Sequence, residues 1–427
     1  MLLYRALSTL ALLAYSPYAL LRSLAGRRRL GDVRGRLGRT VYPDLDGGIW
    51  IHAVSVGEVG VARTLLSALA RRAPGHRAGL SVTTAAGREL AESRPIADTP
   101  VFPFPFDLLR PIEKALDSIR PGLVLLTETE IWPLFIDRAT ARGIPVALVN
   151  GRVSHRSFSR YALVRRWLAS TLRRVAVFAM QSPADAERII ALGAPPGRVR
   201  VTGNLKYDMP EAPPFADAER LKRAGGGRPI IVAASTAEGE EELVLAAWRG
   251  LEARALLALA PRRPERFDAV AELVEKAGFS VLRRSSPDSR SPTADYRSAV
   301  YLLDSIGELA SLYREASLAF VGGSLVRRGG HNPIEAWVAG VPALVGPHTE
   351  NFRQITSDGE AHGFLRRVSG EAALSRELER ALCAPGDSRE AGERARRFVA
   401  ENRGAADRTV ELLLALRTRE ARRMAAP

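Results

Sequence analysis

Short apolar, β-branched runs alternate with longer amphipathic stretches throughout this chain, and that alternation limits its fold more than any other feature. In the first half the runs are "GIWIHAVS" (48–55), "AGLSVTT" (78–84), "VLLTET" (124–129), "PVALVNG" (145–151), "VAVFAMQ" (175–181) and "RVRVTGN" (198–204). In the second half they are "PIIVAAS" (229–235), "ALLALAP" (255–261), "FSVLRR" (279–284), "AVYLLD" (299–304), "LAFVGG" (318–323) and "PALVGP" (342–347). Strands that are apolar throughout and separated by helices imply a parallel sheet covered on both faces. The chain therefore predicts two doubly wound, Rossmann-like α/β domains, with a ligand cleft between them. Its 427 residues are too many for one ordinary core.

Prolines and glycines between the halves mark a linker at 209–228. The expected division is an N-terminal anchor at 1–30, an α/β domain at 31–208, the linker, a second α/β domain at 229–395, and charged C-terminal helices at 396–427.

The charge balance narrows the partners. Sixty-two Lys and Arg against 47 acidic residues give +15, a field that attracts polyanions. Nucleic acid, an acidic membrane and a phosphorylated substrate all fit. No zinc-finger spacing or aromatic RNA-binding strand supports nucleic acid, so none is expected. The N-terminus favours the membrane. No charge occurs from Ala6 to Leu21, and Arg22 and Arg27–Arg29 follow. Positive charge after an apolar run keeps the rest of the chain in the cytoplasm and meets anionic lipid. The expectation is a retained anchor, either a short span or an interfacial helix. A single cysteine, Cys383, excludes an intrachain disulfide and fits a reducing compartment.

Six strand ends carry candidate chemistry. "HAVSVGEVG" (52–60) passes from strand to helix and puts Glu58 at the carboxyl edge of the sheet. A Glu there complements the helix dipole, and it can also act as a general base. "TETEIWP" (127–133) supplies Glu128 and Glu130, which share a face if the strand continues. "GNLKYD" (203–208) supplies Lys206. "FVGGSLVRRGGHNPIEA" (320–336) ends a strand in a glycine turn and then starts a helix. Asn332 is a good N-cap there, Pro333 suits the first helical position, and Glu335 can reach back to the cap. Gly340 would close that helix. Its free N–H groups predict an anion site, although capping alone explains Asn-Pro-x-Glu.

"PRRPERF" (261–267) adds Pro261 and Arg262, whose guanidinium can clamp a phosphate, and "SIGE" (305–308) places Ile306, Gly307 and Glu308 where a base or ribose could lie. The six histidines show no metal-ligand spacing, and no Walker or G-x-S-x-G motif occurs. No metal and no cofactor are expected.

These blocks, together with "SVTTAAGREL", "NGRVSHRS", "STAEGEEE" and "GPHTENF", run in order over nearly the whole chain. In that order they resemble the 3-deoxy-D-manno-octulosonic acid (Kdo) transferases of lipopolysaccharide assembly. The resemblance implies a GT-B fold and an inverting, metal-independent transfer from CMP-Kdo to a lipid A precursor, a bisphosphorylated glycolipid. It implies action at the cytoplasmic face of the inner membrane. By residue, it implies Glu58 as general base, with Glu128 and Lys206 supporting the transition state. It assigns CMP to Pro261–Arg262, Ile306–Glu308 and Asn332–Glu335. The family often has His where this chain has Arg263. Two other readings predict different chemistry: a GT-B enzyme that uses a UDP-sugar, and a non-enzymatic basic protein that binds membrane or nucleic acid.

Overall fold

The computed structural model describes residues 30–93, 95–96, 98–286 and 298–425. The expected anchor lies outside the described residues apart from Leu30. Among the described residues, no helix is long and apolar enough to cross a membrane. The chain divides into two compact units, one running to Asp208 and resuming at Asn402, the other spanning Met209–Glu401.

The first unit is built on seven strands: β1 (Ile49–Ala53), β2 (Ala78–Val82), β3 (Val101–Pro103), β4 (Leu123–Thr127), β5 (Val146–Gly151), β6 (Val177–Met180) and β7 (Val199–Val201). Their order is β3-β2-β1-β4-β5-β6-β7, and every pairing is parallel. Successive residues of one strand enter different cores. Trp50, Val124, Leu126 and Leu148 pack on one face, and Ile49, Ile51, Leu125 and Val149 on the other. A sheet covered on both faces favours apolar residues at nearly every position, which is why its strands read as near-continuous runs.

The second unit repeats the plan with β8 (Ile230–Thr236), β9 (Leu256–Pro261), β10 (Ser280–Arg283), β11 (Ala299–Leu302), β12 (Leu318–Val321), β13 (Ala343–Val345) and β14 (Leu365–Arg367). Their order is β10-β11-β9-β8-β12-β13-β14, again all parallel. Each apolar run expected from sequence overlaps one strand. The two that sequence missed, β3 and β14, are three residues long and lie at sheet edges. An edge strand needs only a few paired groups and no long apolar run.

Two segments differ from their expected division. The span 209–228, read as a linker, contains the helix Ala218–Gly225, with Leu221 and Ala224 buried. Arg220 of that helix donates to the carbonyls of Arg283 and Ser286, which ties the helix to the second unit. The C-terminal block splits. Helix Pro385–Asn402 ends the second unit, while Ala405–Ala425 returns to the first. Ala405, Val410 and Leu413 of the returning helix are fully buried in the core of the first unit. The periodicity showed an amphipathic helix, and only the fold shows which core it covers.

The strand order reverses at β1/β4 in the first sheet and at β8/β12 in the second. In open α/β sheets, ligands bind outside the carboxyl ends of strands at such points.

Candidate active site

Helix Val56–Arg72 starts directly after β1, capped by Ser55. Ser55 Oγ accepts from the Glu58 amide, and Glu58 Oε1 accepts from Ser55 Oγ at 3.0 Å, a reciprocal capping arrangement. Glu58 Oε2 turns back to the Val54 amide at 2.9 Å. The same oxygen lies 2.8 Å from the Thr127 hydroxyl at the end of β4. Thr127 Oγ1 is also 2.8 Å from the His52 carbonyl. A hydroxyl has one proton. When Thr127 gives it to His52, a bond with Glu58 requires the proton on the Glu58 carboxyl. Burial favours that state. Desolvation raises the pKa of Glu58, whose residue is 7% exposed, the Val54 amide opposes the rise, and the charge of Glu128 adds to it.

Glu128 follows β4 in the left-handed region, at φ 53°. Its amide donates to the Val149 carbonyl, and its carboxylate holds Lys206 Nζ at 2.7 Å. Lys206 sits on the short turn Leu205–Asp208, pinned from several sides. Leu205 N donates to Asn150 Oδ1 and Lys206 N to Asn204 Oδ1. Asp208 accepts from the amides of Gly404 and Ala406, at the start of the returning C-terminal helix. Asn150 too is left-handed, at φ 52°, at the end of β5. Non-glycine residues held at positive φ thus lie at the ends of two neighbouring strands, at the edge where the carboxylates gather.

Glu130 completes the group. Burial first, then the charges of Glu58 and Glu128, push its pKa up to about 7. His52, by contrast, is fully buried and stacked on Phe104, and burial pushes its pKa down to about 3. It belongs to the core.

In the second unit, the glycine turn after β12 is already occupied. Glu240, fully buried at the start of helix Glu240–Trp248, accepts from the amides of Ala237 (2.9 Å) and Gly323 (2.6 Å) on one oxygen. Its other oxygen accepts from Ser324 (2.8 Å) and Leu325 (2.7 Å). A Cβ on Gly322 would meet Glu240 Oε2 and the Ser235 carbonyl at 2.8 Å, so this approach demands glycine. The amides of residues 323–325 are therefore taken up within the fold. An internal carboxylate already fills that concavity.

Beyond it the chain is open. Arg327 and Arg328 are exposed, and Gly330 N returns to the Gly323 carbonyl at 2.7 Å. Asn332 Oδ1 accepts from Ile334 N at 3.2 Å, but the helix starts one residue later than expected, with Pro333 at the N-cap position. Its helix, Ile334–Val338, is a short one, and Gly340 at φ 78° closes it. Glu335 is half-buried in the first turn. His331 lies where the Arg262 charge reaches it, and burial and then that charge push its pKa down to about 4. The loop after β9 and the loop after β12 are thereby brought together.

Pro261 ends β9 and is buried; exposed Arg262 is anchored by its amide to the Thr236 carbonyl. Arg266 fixes the same loop through a 2.6 Å ion pair with buried Glu241, which also accepts from Thr236 Oγ1. In the loop after β11, Ile306 is 71% exposed and Gly307 takes φ 90°. Glu308 is engaged by Arg284 at 3.1 Å and by Ser305 Oγ.

Comparison with known proteins identifies the family. Residues 27–209 match the family described as 3-deoxy-D-manno-octulosonic-acid transferase (kdotransferase). The chain is 35% identical over 400 residues to the 3-deoxy-D-manno-octulosonic acid transferase of Haemophilus influenzae, covering 91% of each chain. The chain belongs to the Kdo transferase family. A Bordetella pertussis protein of the same name is also 35% identical, over 89% of this chain and 90% of its own. As a Kdo transferase family member, the protein is a glycosyltransferase. Its fold is of the GT-B type. A solved UDP-GlcNAc 2-epimerase from Neisseria meningitidis, bound to UDP-GlcNAc, matches 86% of this chain and 100% of its own at a TM-score of 0.57, with 13% identity. That likeness is one of fold.

Against this family background, Glu58, Glu128 and Lys206 gather at the β1/β4 reversal of one unit. Pro261–Arg262, Ile306–Glu308 and Asn332–Glu335 follow β9, β11 and β12 of the other. Sequence reasoning did not single out Thr127, Asn150, Asp208, Glu240 or Glu241. Their types are ordinary, and their importance comes from partners far along the chain. Among the described residues, no group of three His, Cys, Asp or Glu side chains is arranged to hold a metal ion.

Proposed function

We propose that the protein transfers Kdo from CMP-Kdo to a lipid A precursor, a bisphosphorylated glycolipid, with inversion and without a metal. Similarity to Kdo transferases over nine-tenths of the chain supports the reaction. The observation that carries the mechanism is the buried Glu58 carboxylate, with its raised pKa, beside the Glu128–Lys206 pair. Ionised Glu58 would take the proton of an acceptor hydroxyl. The hydroxyl oxygen attacks the anomeric carbon of Kdo from the face opposite the phosphate. The bond from that carbon to the phosphate oxygen breaks, and CMP leaves with the electron pair. Lys206, held by Glu128, supplies positive charge near the reacting centre.

The second unit would hold the leaving group. Arg262 and the turn capped by Asn332 take the phosphate, and exposed Ile306 with Gly307 offers an apolar face and open backbone to the base. Residues 1–30 would anchor the protein to the cytoplasmic face of the inner membrane, where Arg22 and Arg27–Arg29 meet anionic lipid.

The test supplies CMP-Kdo and a tetraacylated lipid A precursor and weighs the product. A mass gain of one or more Kdo units is expected, with no loss of rate in chelator. Transfer from a UDP-sugar in place of CMP-Kdo, or turnover that chelator abolishes, would refute the proposal.

A further inference from the structure

A cavity of about 310 Å³ opens in the second unit, at the sheet edge opposite the loops assigned to CMP. Its floor is the amino edge of the sheet. Leu318 begins β12, Ala343 begins β13 and Phe364 immediately precedes β14, and all three are buried. The loops after β9, β11 and β12 lie at the carboxyl edge. The walls are helix Glu371–Cys383 and the first half of helix Pro385–Asn402. Every lining residue falls within Met209–Glu401, so the cavity belongs to one unit. Its volume is at the lower end of the range for small-molecule sites.

Charge says what could fill it. Three Arg and three acidic residues line the cavity. Four of the six are matched: Arg366 meets Glu377 at 3.2 Å, and Arg394 meets Glu390 at 2.8 Å. Arg380 and Asp387 remain. Both are exposed, and neither makes an ion pair among the described residues, with the other or with any third group. Unpaired charges are common on a surface. Two of opposite sign lining one cavity, too far apart to satisfy each other and set above an apolar floor, are not. A phosphate dianion suits the cavity poorly, because the acidic residues cancel the Arg charge around it. A single carboxylate suits Arg380, whose guanidinium can hold both oxygens. Ionised Asp387 can only accept, so it calls for donors such as hydroxyls, and the Ser388 hydroxyl beside it can give or take a further bond.

We propose that this cavity is a second, non-catalytic site for a small polyhydroxy acid, and that its occupancy changes the affinity for CMP. The carboxylate lies on Arg380, hydroxyls on Asp387 and Ser388, and C–H groups on the apolar floor. The inference rests on the proposed reaction for the choice of acid, since the sugar transferred there, Kdo, is itself a hydroxylated carboxylic acid. Two contacts carry the coupling. Phe364 of the floor stands edge-on to Trp337, with ring centroids 4.9 Å apart. Trp337 belongs to helix Ile334–Val338, whose first amide is held by Asn332. Helix Pro385–Asn402 of the wall packs on the end of that same short helix. Arg396 donates to the Ala339 carbonyl at 2.9 Å, and a Cβ on Gly392 would come within 2.0 Å of the Gly340 carbonyl oxygen. Floor and wall therefore both bear on the turn assigned to CMP, and each ligand should change the affinity of the other by the same factor.

Saturation-transfer NMR on the full chain tests the site, with free Kdo as the probe and CMP present at saturation. Kdo should bind, and Arg380→Met and Asp387→Asn should each weaken it on the order of tenfold. Both substitutions replace exposed side chains outside the residues assigned to CMP and to catalysis, so both variants should fold, which urea unfolding checks. Glucose lacks the carboxylate and acetate lacks the hydroxyls, so each should bind more weakly than Kdo. In calorimetry, added Kdo should shift the CMP affinity of the parent protein by about fivefold or more, and the shift should disappear in Arg380→Met. No Kdo binding would overturn the proposal. So would binding that persists unchanged in both variants, since the acid would then lie elsewhere, or a CMP affinity that Kdo leaves unaltered. None of these readouts needs turnover. Binding that behaves as expected, with no Kdo transfer in any sample, would refute the proposed reaction and leave the site standing. Normal transfer without binding at the cavity would do the reverse.

Discussion

Replacing Glu58 by Gln separates its two readings, because stability and turnover should respond differently. The carboxylate accepts from Val54 N, Ser55 Oγ and Thr127 Oγ1. A Gln carbonyl can keep the Val54 bond, and its NH₂ can donate to Ser55. Thr127 still has the His52 carbonyl to serve. The loss is then at most about one net hydrogen bond, roughly 1 kcal/mol. It is offset because a buried charge disfavoured by desolvation is removed. Gln also serves as well as Glu at this position of a capping box. Stability should therefore change by less than about 1 kcal/mol. Transfer should fall by about 10²–10⁴-fold, the contribution of a general base, equivalent to roughly 3–5 kcal/mol in the barrier. CMP affinity should stay near that of the parent protein, since the residues assigned to CMP belong to the other unit. The checks are urea unfolding, CMP calorimetry and single-turnover transfer across pH. In the parent protein the rate should climb with pH as Glu58 ionises, with its midpoint above the ordinary carboxylate range. The variant should lose that limb. A near-normal rate in a folded Glu58→Gln protein would refute the catalytic role and leave only the cap.

Glu130→Gln should change stability in a pH-dependent way. The folded pKa of about 7 lies above the ordinary 4.5, so this carboxyl favours the fold below about pH 4.5 and loses that contribution as pH rises towards 7. Gln removes the loss, and unfolding at about pH 8 should show a gain of up to roughly 3 kcal/mol that vanishes near pH 4; equal effects at both pH values would exclude this account. Asn332→Ala should cost about 0.5–2 kcal/mol through the lost cap and weaken CMP binding in calorimetry. Unchanged affinity would put the phosphate elsewhere. Arg262→Ala should weaken CMP binding and slow transfer together, in contrast to Glu58→Gln. Glu240→Gln sets an NH₂ group against two backbone N–H donors, because each carboxylate oxygen serves a pair. A loss of roughly 3 kcal/mol is expected, and a variant as stable as its parent would show that the turn after β12 does not need this carboxylate.

Local patterns made much of the protein legible before any coordinates. Apolar runs located the strands because burial on both faces leaves few polar positions in them. The Ser55-x-x-Glu58 cap and the Asn332-Pro333 start were also readable, since their partners lie within a few residues. The same local view could not show what holds the glycine turn at 322–325, since its amides donate to Glu240, 83 to 85 positions away for the bonds of Gly323, Ser324 and Leu325.

By itself the sequence determined most element types, the parallel sheets and the strand ends that carry the candidate residues. Dihedral preference and hydrophobic period are properties of neighbouring residues. Only the tertiary structure decided which strand lies beside which. Strand order places Thr127 on Glu58 across 69 residues. The turn after β7 carries Lys206 to Glu128 across 78. The last helix returns to the Lys206 turn, where Asp208 accepts from the amides at its start, 196 and 198 residues away. Those contacts follow from how two whole cores bury their surface, a global balance that no short stretch of the chain encodes.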